Sequence, residues 1–126
     1  MPSLDTLEQF VARVEQNAHV EAIEEFYALD ASMQENNAAP RAGRQLLMER
    51  ERKTLERARS VQSRCVRPVF VDGDHVVIRW IFDFEWKDGG KSHMEELAYQ
   101  RWEGERVAAE QFFYDPAQLS SQKAAA

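Results

Sequence analysis

The clearest pattern in the chain is an alternation of apolar and polar residues that begins after Gly73. Large apolar side chains recur at every second position, at Val76, Ile78, Trp80, Phe82, Phe84 and Trp86. Arg79, Asp83 and Glu85 occupy intervening positions, and a period of two is typical of a strand with one buried face. Because about a dozen residues exceed the usual strand length of about 3 to 10, we expect this strand at the centre of a strongly curved sheet.

Three helices are predicted before this strand. Apolar residues at helical spacing indicate a first helix that begins after Ser3 or Asp5 and a shorter second helix over 20–26. Glu8 follows Asp5 by the spacing of a capping box. A third, heavily charged helix is expected from Arg44 to near Ser60.

The remaining segments favour strands and turns. Residues 27–36 are expected to form the first strand, and residues 36–44 a loop, because Asn, Pro and Gly cluster there. Turn residues at 72–74, 87–91 and 103–106 then divide the chain into four consecutive strands. We expect these strands, Arg64–Val71, the strand from His75, Ser92–Glu103 and Val107–Tyr114, to form an antiparallel meander that ends at Pro116.

Composition narrows the class of protein. The chain has 126 residues and a formal net charge of -6, which suits one domain and argues against a nucleic acid partner, since phosphate contacts need a basic surface. The basic residues over 50–67 alternate with glutamates, as on a solvated helix face. No apolar run approaches the roughly 20 residues of a membrane span, and the first residues lack the apolar segment of a signal peptide. We therefore expect a cytoplasmic protein without a membrane partner.

The predicted order of elements makes an α+β roll, in which helices close the concave face of a bent sheet. That order resembles the nuclear transport factor 2-like superfamily, which contains ketosteroid isomerase and the SnoaL-like polyketide cyclases. The resemblance is carried by YALDASMQEN at Tyr27–Asn36, Gly43 before the third helix, FEW at Phe84–Trp86 and ERVAAEQFFYDP at Glu105–Pro116.

This resemblance implies a cone-shaped, cystatin-like fold with three N-terminal helices on a strongly curved, mainly antiparallel sheet. It implies a single SnoaL-like domain over residues 1–126, with a flexible tail from about residue 117. It also implies a homodimer that pairs through the outer face of the sheet, which carries Val77, Arg79, Ile81 and Asp83.

The family resemblance points to one catalytic carboxylate. In ketosteroid isomerase a carboxylate near the end of the first strand is the general base, and a tyrosine and a protonated aspartate hold the oxyanion. The base position falls at Glu35, whereas the two oxyanion positions fall near Val11 and at Ala98. Neither side chain donates a hydrogen bond, so steroid isomerisation by that oxyanion hole is disfavoured.

The expected strand register turns a second set of residues toward the concave face. We interpret Glu35 and Glu110 as catalytic candidates. The ligand-binding candidates are Trp80, Phe82, Phe84, Glu96, Gln100, Trp102, Phe112 and Tyr114. Aromatic walls with a few carboxylates are typical of a small-molecule site, and loss of hydration there raises a carboxyl pKa toward the range useful for acid/base catalysis.

Each of these assignments has a structural alternative. Glu110 could hydrogen-bond a neighbouring side chain or lie at a solvated rim, and a one-residue slip would turn Glu35 to solvent. The aromatic stripe could simply fill the core. His19 and His75 are expected at the surface. His93 and Glu95 share a strand face, but a third metal ligand is not evident and the pair faces away from the cavity.

Three functions remain open. The first is an acid/base enzyme that uses Glu35 or Glu110 on a small hydrophobic molecule, by isomerisation, cyclisation, dehydration or epoxide hydrolysis, with no metal and no nucleotide cofactor. The second is a non-catalytic module whose aromatic cavity binds an apolar metabolite. The third is an interaction protein that docks a peptide through its outer face, where Arg79 and Ile81 lie.

Overall fold

Three helices and a mixed sheet make up the described part of the chain. The computed structural model describes residues 1–119 and the backbone of residues 122–123. In chain order the elements are α1 Leu4–Glu15, α2 His19–Phe26, β1 Tyr27–Glu35, β2 Arg41–Ala42, α3 Arg44–Arg57, β3 Ala58–Asp72, β4 His75–Trp86, β5 Gly90–Glu103, β6 Arg106–Phe113, a short 3-10 helix Pro116–Leu119 and β7 Gln122–Lys123.

The sheet has the strand order β2-β1-β6-β5-β4-β3, and β7 pairs with the beginning of β5. Strands β3 to β6 form the predicted antiparallel meander. Strand β1 runs parallel to β6 and pairs with it, so the first strand is joined to the last strand of the meander. Three helices on a curved, mainly antiparallel sheet confirm the expected α+β fold class.

The core lies between the helices and the concave face of the sheet. Helix α1 buries Phe10 and Val11, and β4 buries Ile78 and Trp80, each at most 2% exposed. The edge of the Phe10 ring packs against Trp102, with 5.9 Å between ring centroids. Burial of each such side chain contributes about 1.5 to 3 kcal/mol, so the alternation in β4 is the main sequence determinant of the fold.

Local signals explain where the helices begin. The Ser3 hydroxyl accepts a hydrogen bond from the Thr6 amide at 3.1 Å and caps α1. The expected capping box does not form, because α1 begins at Leu4 and Asp5 lies within its first turn. Glu8 instead binds the guanidinium of Arg67 at 2.7 Å. Before α3, Gly43 has φ of +108°, a left-handed conformation that side chains with a Cβ rarely adopt.

Several predicted boundaries are wrong by a few residues. Strand β3 starts at Ala58 rather than Arg64, because it pairs with β4 as far as Trp86. Helix α3 consequently ends at Arg57. The predicted loop over 36–44 contains β2, which pairs with β1.

The last described segment lies along the edge of β5. The amide of Glu95 donates to the side-chain oxygen of Gln118, in the 3-10 helix, at 2.5 Å. Residues 120, 121 and 124–126 of the predicted flexible tail lie outside the described residues, and the tail stays a prediction. Within the part of the chain that is described, no helix is long and apolar enough to cross a membrane.

Candidate functional site

A cavity of about 220 Å³ lies between the helices and the concave face of the sheet. Eight of the predicted site residues line it, namely Glu35, Trp80, Phe82, Phe84, Glu96, Glu110, Phe112 and Tyr114. The predicted residues Gln100 and Trp102 are fully buried and lie behind Glu110. The register inferred for β4, β5 and β6 therefore brings the predicted carboxylates and aromatic rings to one place.

Glu110 is held by hydrogen bonds to both of its carboxylate oxygens. The Tyr27 hydroxyl donates to Oε1, and the Gln100 side-chain amide donates to Oε2 at 2.7 Å. The Trp102 indole in turn donates to Gln100 at 2.9 Å. Glu110 is 3% exposed, so the structural alternative considered for it, a bond to neighbouring side chains, is present.

Burial and hydrogen bonding act on the pKa of Glu110 in opposite directions. Burial raises the pKa of Glu110 to about 7, while the hydrogen bonds from Tyr27 and Gln100 oppose that rise. Burial and the nearby charge of Glu110 also raise the pKa of Tyr27 well above its usual value. Tyr27 therefore stays protonated and acts as a donor to Glu110.

Glu96 lines the same cavity, but the surroundings of its carboxyl group differ from those of Glu110. Among the described residues, its carboxyl group has no hydrogen-bond partner. Burial, followed by the negative charges of Glu35 and Glu110, raises the pKa of Glu96 to about 8. At neutral pH most of the Glu96 side chains therefore carry a proton that no described residue accepts, as a general acid requires.

The end of β1 and the residues after β6 complete the polar part of the cavity. Glu35 is the last residue of β1 and pairs in register with Phe112. Burial, and then the negative charge of Glu35, raises the pKa of Tyr114 to about 12. The Tyr114 hydroxyl therefore remains protonated beside the Glu35 carboxylate.

The aromatic residues of β4 form a ladder along one wall. Trp80 and Phe82 are stacked with centroids 5.6 Å apart, and Phe84 and Trp86 are stacked at 4.6 Å. Trp80 is 2% exposed and belongs to the core, whereas Phe82 is only half-buried. The stripe therefore fills the core at one end and lines the cavity along its length.

One histidine corrects the sequence prediction. His19 was expected at the surface but is 8% exposed and lines the cavity. Its ring contacts Glu51 through Nδ1 at 3.0 Å and Ser63 through Nε2 at 2.7 Å. His19 begins α2 and precedes the buried Ile23 by four residues, a spacing that places both on one helix face. That spacing was the available signal.

Tyr27 is the other site residue that the sequence prediction missed. It shares the alternation of β1 with Ala31, Met33 and Glu35, and its ring is 3% exposed. The family resemblance, and not this alternation, directed Glu35 inward, and the resemblance gave no role to Tyr27. The hydrogen bond to Glu110 could not be read from the alternation.

His93 and Glu95 lie on the outer face of the sheet, as expected. His93 bonds Asp83, which raises the pKa of the imidazole, and Glu95 pairs with Arg79 at 2.9 Å. In the part of the chain that the structure covers, no three or more His, Cys, Asp or Glu side chains are grouped to hold a metal ion.

Solved structures share this fold at low sequence identity. A Catenulispora acidiphila protein with a ketosteroid isomerase-like fold, in complex with trimethylamine, is 18% identical with a TM-score of 0.75, and the match covers 92% of this chain and 89% of that one. An M. tuberculosis LEH-like epoxide hydrolase is 12% identical with a TM-score of 0.73, over 91% of this chain and 84% of that one. TerC co-crystallised with polyporic acid is 11% identical with a TM-score of 0.76, over 94% and 95%.

These identities are low enough that the structural likeness speaks for the fold alone. No curated protein matches the sequence significantly. The family model of the SnoaL-like domain matches residues 7–110, a span that includes β1, α3 and the strands that carry Glu96 and Glu110. On this match over most of its length, the chain belongs to the SnoaL-like domain family.

Proposed function

We propose that this protein is an acid/base enzyme that acts on a small, mainly hydrophobic molecule in the 220 Å³ cavity. The observation that carries the proposal is the contrast between two carboxyl groups that line the same cavity. Glu110 has both oxygens occupied by donors, whereas Glu96 has no partner among the described residues. The contrast leaves Glu96 available to exchange a proton and gives Glu110 a positioning role, and Glu35 lines the same cavity as the second carboxyl group that an acid/base pair needs.

The proposed roles follow from what each group can exchange. Glu35 accepts a proton from a substrate carbon next to a carbonyl group, and Glu96 donates its proton to the carbonyl oxygen, which produces an enol. Return of that proton from Glu35 to another carbon, while Glu96 takes back the enol hydroxyl proton, completes an isomerisation. Attack of the enol carbon on a second carbonyl carbon of the same molecule, while Glu96 takes back the enol proton and Glu35 protonates the new alkoxide, completes an aldol-type cyclisation. When Glu96 protonates a leaving oxygen instead, removal of a proton from the neighbouring carbon by Glu35 completes a dehydration, and removal of a proton from an attacking water by Glu35 completes the hydrolysis of an epoxide. Glu110 positions the site through Tyr27 and Gln100.

The similar structures support a small organic ligand in this fold. One is named as an epoxide hydrolase, and two were crystallised with trimethylamine or polyporic acid. Those ligands and that activity belong to the other proteins. They support the proposal because the cavity of this chain combines apolar walls with few polar groups, the usual composition of a ligand site.

The test is turnover of a panel of small ketones, enols, β-hydroxy ketones and epoxides. We expect Glu96→Gln and Glu35→Gln to lower turnover of the best substrate by about 100-fold or more, the usual contribution of a general acid or base. Glu103→Gln makes the same substitution on the exposed side of β5, away from the cavity, and should retain full activity. Full activity in both cavity variants, with the fold intact, would refute the enzyme proposal.

A binding module is the second candidate, and one observation favours it. Because Glu110 already accepts two hydrogen bonds, it can serve as a fixed acceptor and need not exchange a proton. In that case Phe82→Ala should abolish ligand binding, while Glu35→Gln and Glu96→Gln change affinity only modestly. The absence of turnover across the panel, with measurable binding, would select this candidate.

We also propose a homodimer through the outer face of the sheet. Three large apolar side chains of adjacent strands are exposed there, Leu97 at 45%, Tyr99 at 44% and Phe113 at 42%. Leu97 pairs in register with Phe113, so their side chains form one patch of the kind that marks an interface. Ile81, which was expected to contribute to this surface, is 8% exposed and contributes little. A cytoplasmic location stays a prediction from the sequence.

A further inference from the structure

The charge of the cavity lining is of one sign. Four glutamates reach the cavity from four different elements, Glu35 from β1, Glu51 from α3, Glu96 from β5 and Glu110 from β6. Among the described residues that line it, none is a lysine or an arginine. Glu110 already accepts two hydrogen bonds and Glu51 contacts the His19 ring, so a neutral apolar ligand would leave Glu35 and Glu96 without a cationic partner, and an anionic ligand would be repelled.

The apolar part of the lining is suited to a cation as well. Phe82 and Phe84 of the β4 ladder line the cavity with their rings tilted rather than stacked, at 6.4 Å between centroids, and the negative face of an aromatic ring attracts a positive charge. One cationic side chain of the protein already contacts an aromatic ring of the ladder. The guanidinium carbon of Arg57 lies 5.5 Å from the ring centroid of Trp86, at the end of the ladder.

We propose that the molecule bound in this cavity is an organic cation, with an alkylated ammonium group between the aromatic ladder and the carboxyl groups of Glu96 and Glu35. The inference rests on the proposed function for its location and adds the substrate class. An alkylated ammonium group combines a positive charge with an apolar surface. It therefore suits an aromatic wall better than a strongly hydrated primary ammonium does.

The protonation state of Glu96 provides a second way to test this proposal. A cation beside Glu96 favours the carboxylate, so binding should lower the pKa of Glu96 from about 8 and release a proton. The groups that face this site are Glu35, Glu51, Glu110, His19, Tyr27 and Tyr114. Arg41 on β2 acts on Tyr114 in the opposite direction to the carboxylates. Affinity for a permanent cation should therefore rise as the pH passes about 8.

The test compares two probes that differ in charge and hardly in shape. Choline carries a trimethylammonium group, and 3,3-dimethylbutan-1-ol replaces its nitrogen by carbon. Titration calorimetry of the full chain with each probe would be performed at about one pH unit below and above the pKa of about 8 of Glu96. Glu96→Gln removes the carboxyl group, and Glu103→Gln is the matched control for net charge, with thermal melts to verify folding.

We expect choline to bind at least about tenfold more tightly than its neutral isostere above the pKa of Glu96, a factor within the range of a desolvated cation–aromatic contact. Glu96→Gln should remove most of this preference and its pH dependence, and Glu103→Gln should retain both. Equal binding of the two probes, or tighter binding of the alcohol, would refute the proposal that the ligand is a cation. The cavity would then still be a site for a hydrophobic ligand. Binding of neither probe would also refute the cation proposal, while the proposed function would still be decided by turnover of the neutral panel.

Discussion

The hydroxyl of Tyr27 donates a hydrogen bond to the carboxylate of Glu110, although the two residues are 83 positions apart in the chain. The contact exists because β1 lies parallel to β6 and next to it. Together with the bond from Gln100, it fixes the Glu110 side chain on two sides. Glu96 is not fixed in this way among the described residues, which is the basis for proposing that Glu96 exchanges a proton and that Glu110 positions the site.

Replacement of Tyr27 by phenylalanine tests this relationship. The bond from Tyr27 lowers the pKa of Glu110, so Tyr27→Phe should raise that pKa further and should destabilise the fold by about 1 to 3 kcal/mol, since a buried acceptor loses its donor. Carboxyl 13C NMR titration gives the pKa, and urea denaturation gives the stability. Tyr99→Phe is the control, because that hydroxyl is exposed and bonds only His75 at 3.1 Å among the described residues. An unchanged Glu110 pKa in Tyr27→Phe would contradict the assignment.

The raised pKa values predict how stability depends on pH. Glu96 and Glu110 have folded-state pKa values of about 8 and about 7, above the ordinary glutamate pKa of 4.5. The folded protein therefore binds protons more tightly than the unfolded chain, and this stability is fully present below about 4.5 and is lost as the pH rises through about 7 and 8. Exposed carboxylates with lowered pKa values, such as Glu8 and Glu95, act in the opposite sense in acid.

We therefore expect the free energy of unfolding to decline between about pH 5 and about pH 8, by an amount on the order of a few kcal/mol. Glu96→Gln should flatten the upper part of this decline, because glutamine does not titrate. Urea denaturation at successive pH values measures it, with Glu103→Gln as the matched variant. A wild-type curve that is level over this range would show that the two carboxyl groups are not held protonated.

The parts of the site that depend on alternation could be predicted from the sequence. Strand β4 has a period of two over its full length, so one decision about its register places Trp80, Phe82 and Phe84 together. The short turn between β4 and β5 carries that register to Glu96, which pairs with Trp80. Glu110 pairs with Gln100 only after a register shift beside Trp102, so its inward position was predicted from the family resemblance and not from the turn.

The hydrogen-bond partners of each carboxyl group could not be predicted from the alternation. The bond between Tyr27 and Glu110 depends on a parallel pairing of distant strands with an irregular register. The orientation of His19 depends on how a helix of eight residues docks against α3 and Phe82. Neither follows from local pattern. The sequence identified a cavity with carboxyl groups, but not which of them is free to exchange a proton.

Phe82 is predicted to contribute to both ligand binding and folding. Phe82→Ala removes a ring stacked on Trp80 and in edge contact with His19 at 5.3 Å. Because Phe82 is only half-buried, the loss should be about 2 kcal/mol rather than the roughly 3 to 5 kcal/mol of a core phenylalanine. Affinity for choline should fall about tenfold. Phe70→Ala, on a ring that is 64% exposed, is the control and should change stability by less than about 0.5 kcal/mol. Wild-type affinity in Phe82→Ala would exclude this wall as the binding surface.

The outer face of the sheet predicts a concentration-dependent dimer. Leu97→Lys places a charge at the centre of the exposed patch beside Phe113, and a charge buried in an isologous contact meets its own copy across the two-fold axis. Sedimentation velocity should therefore show a dimer for the wild type and a monomer for Leu97→Lys. Leu29→Lys adds the same charge at a side chain that is 75% exposed on β1 and should leave the dimer intact. Because the cavity opens on the opposite face of the sheet, choline binding should survive in the monomer. A wild type that sediments as a monomer at every concentration would refute the homodimer.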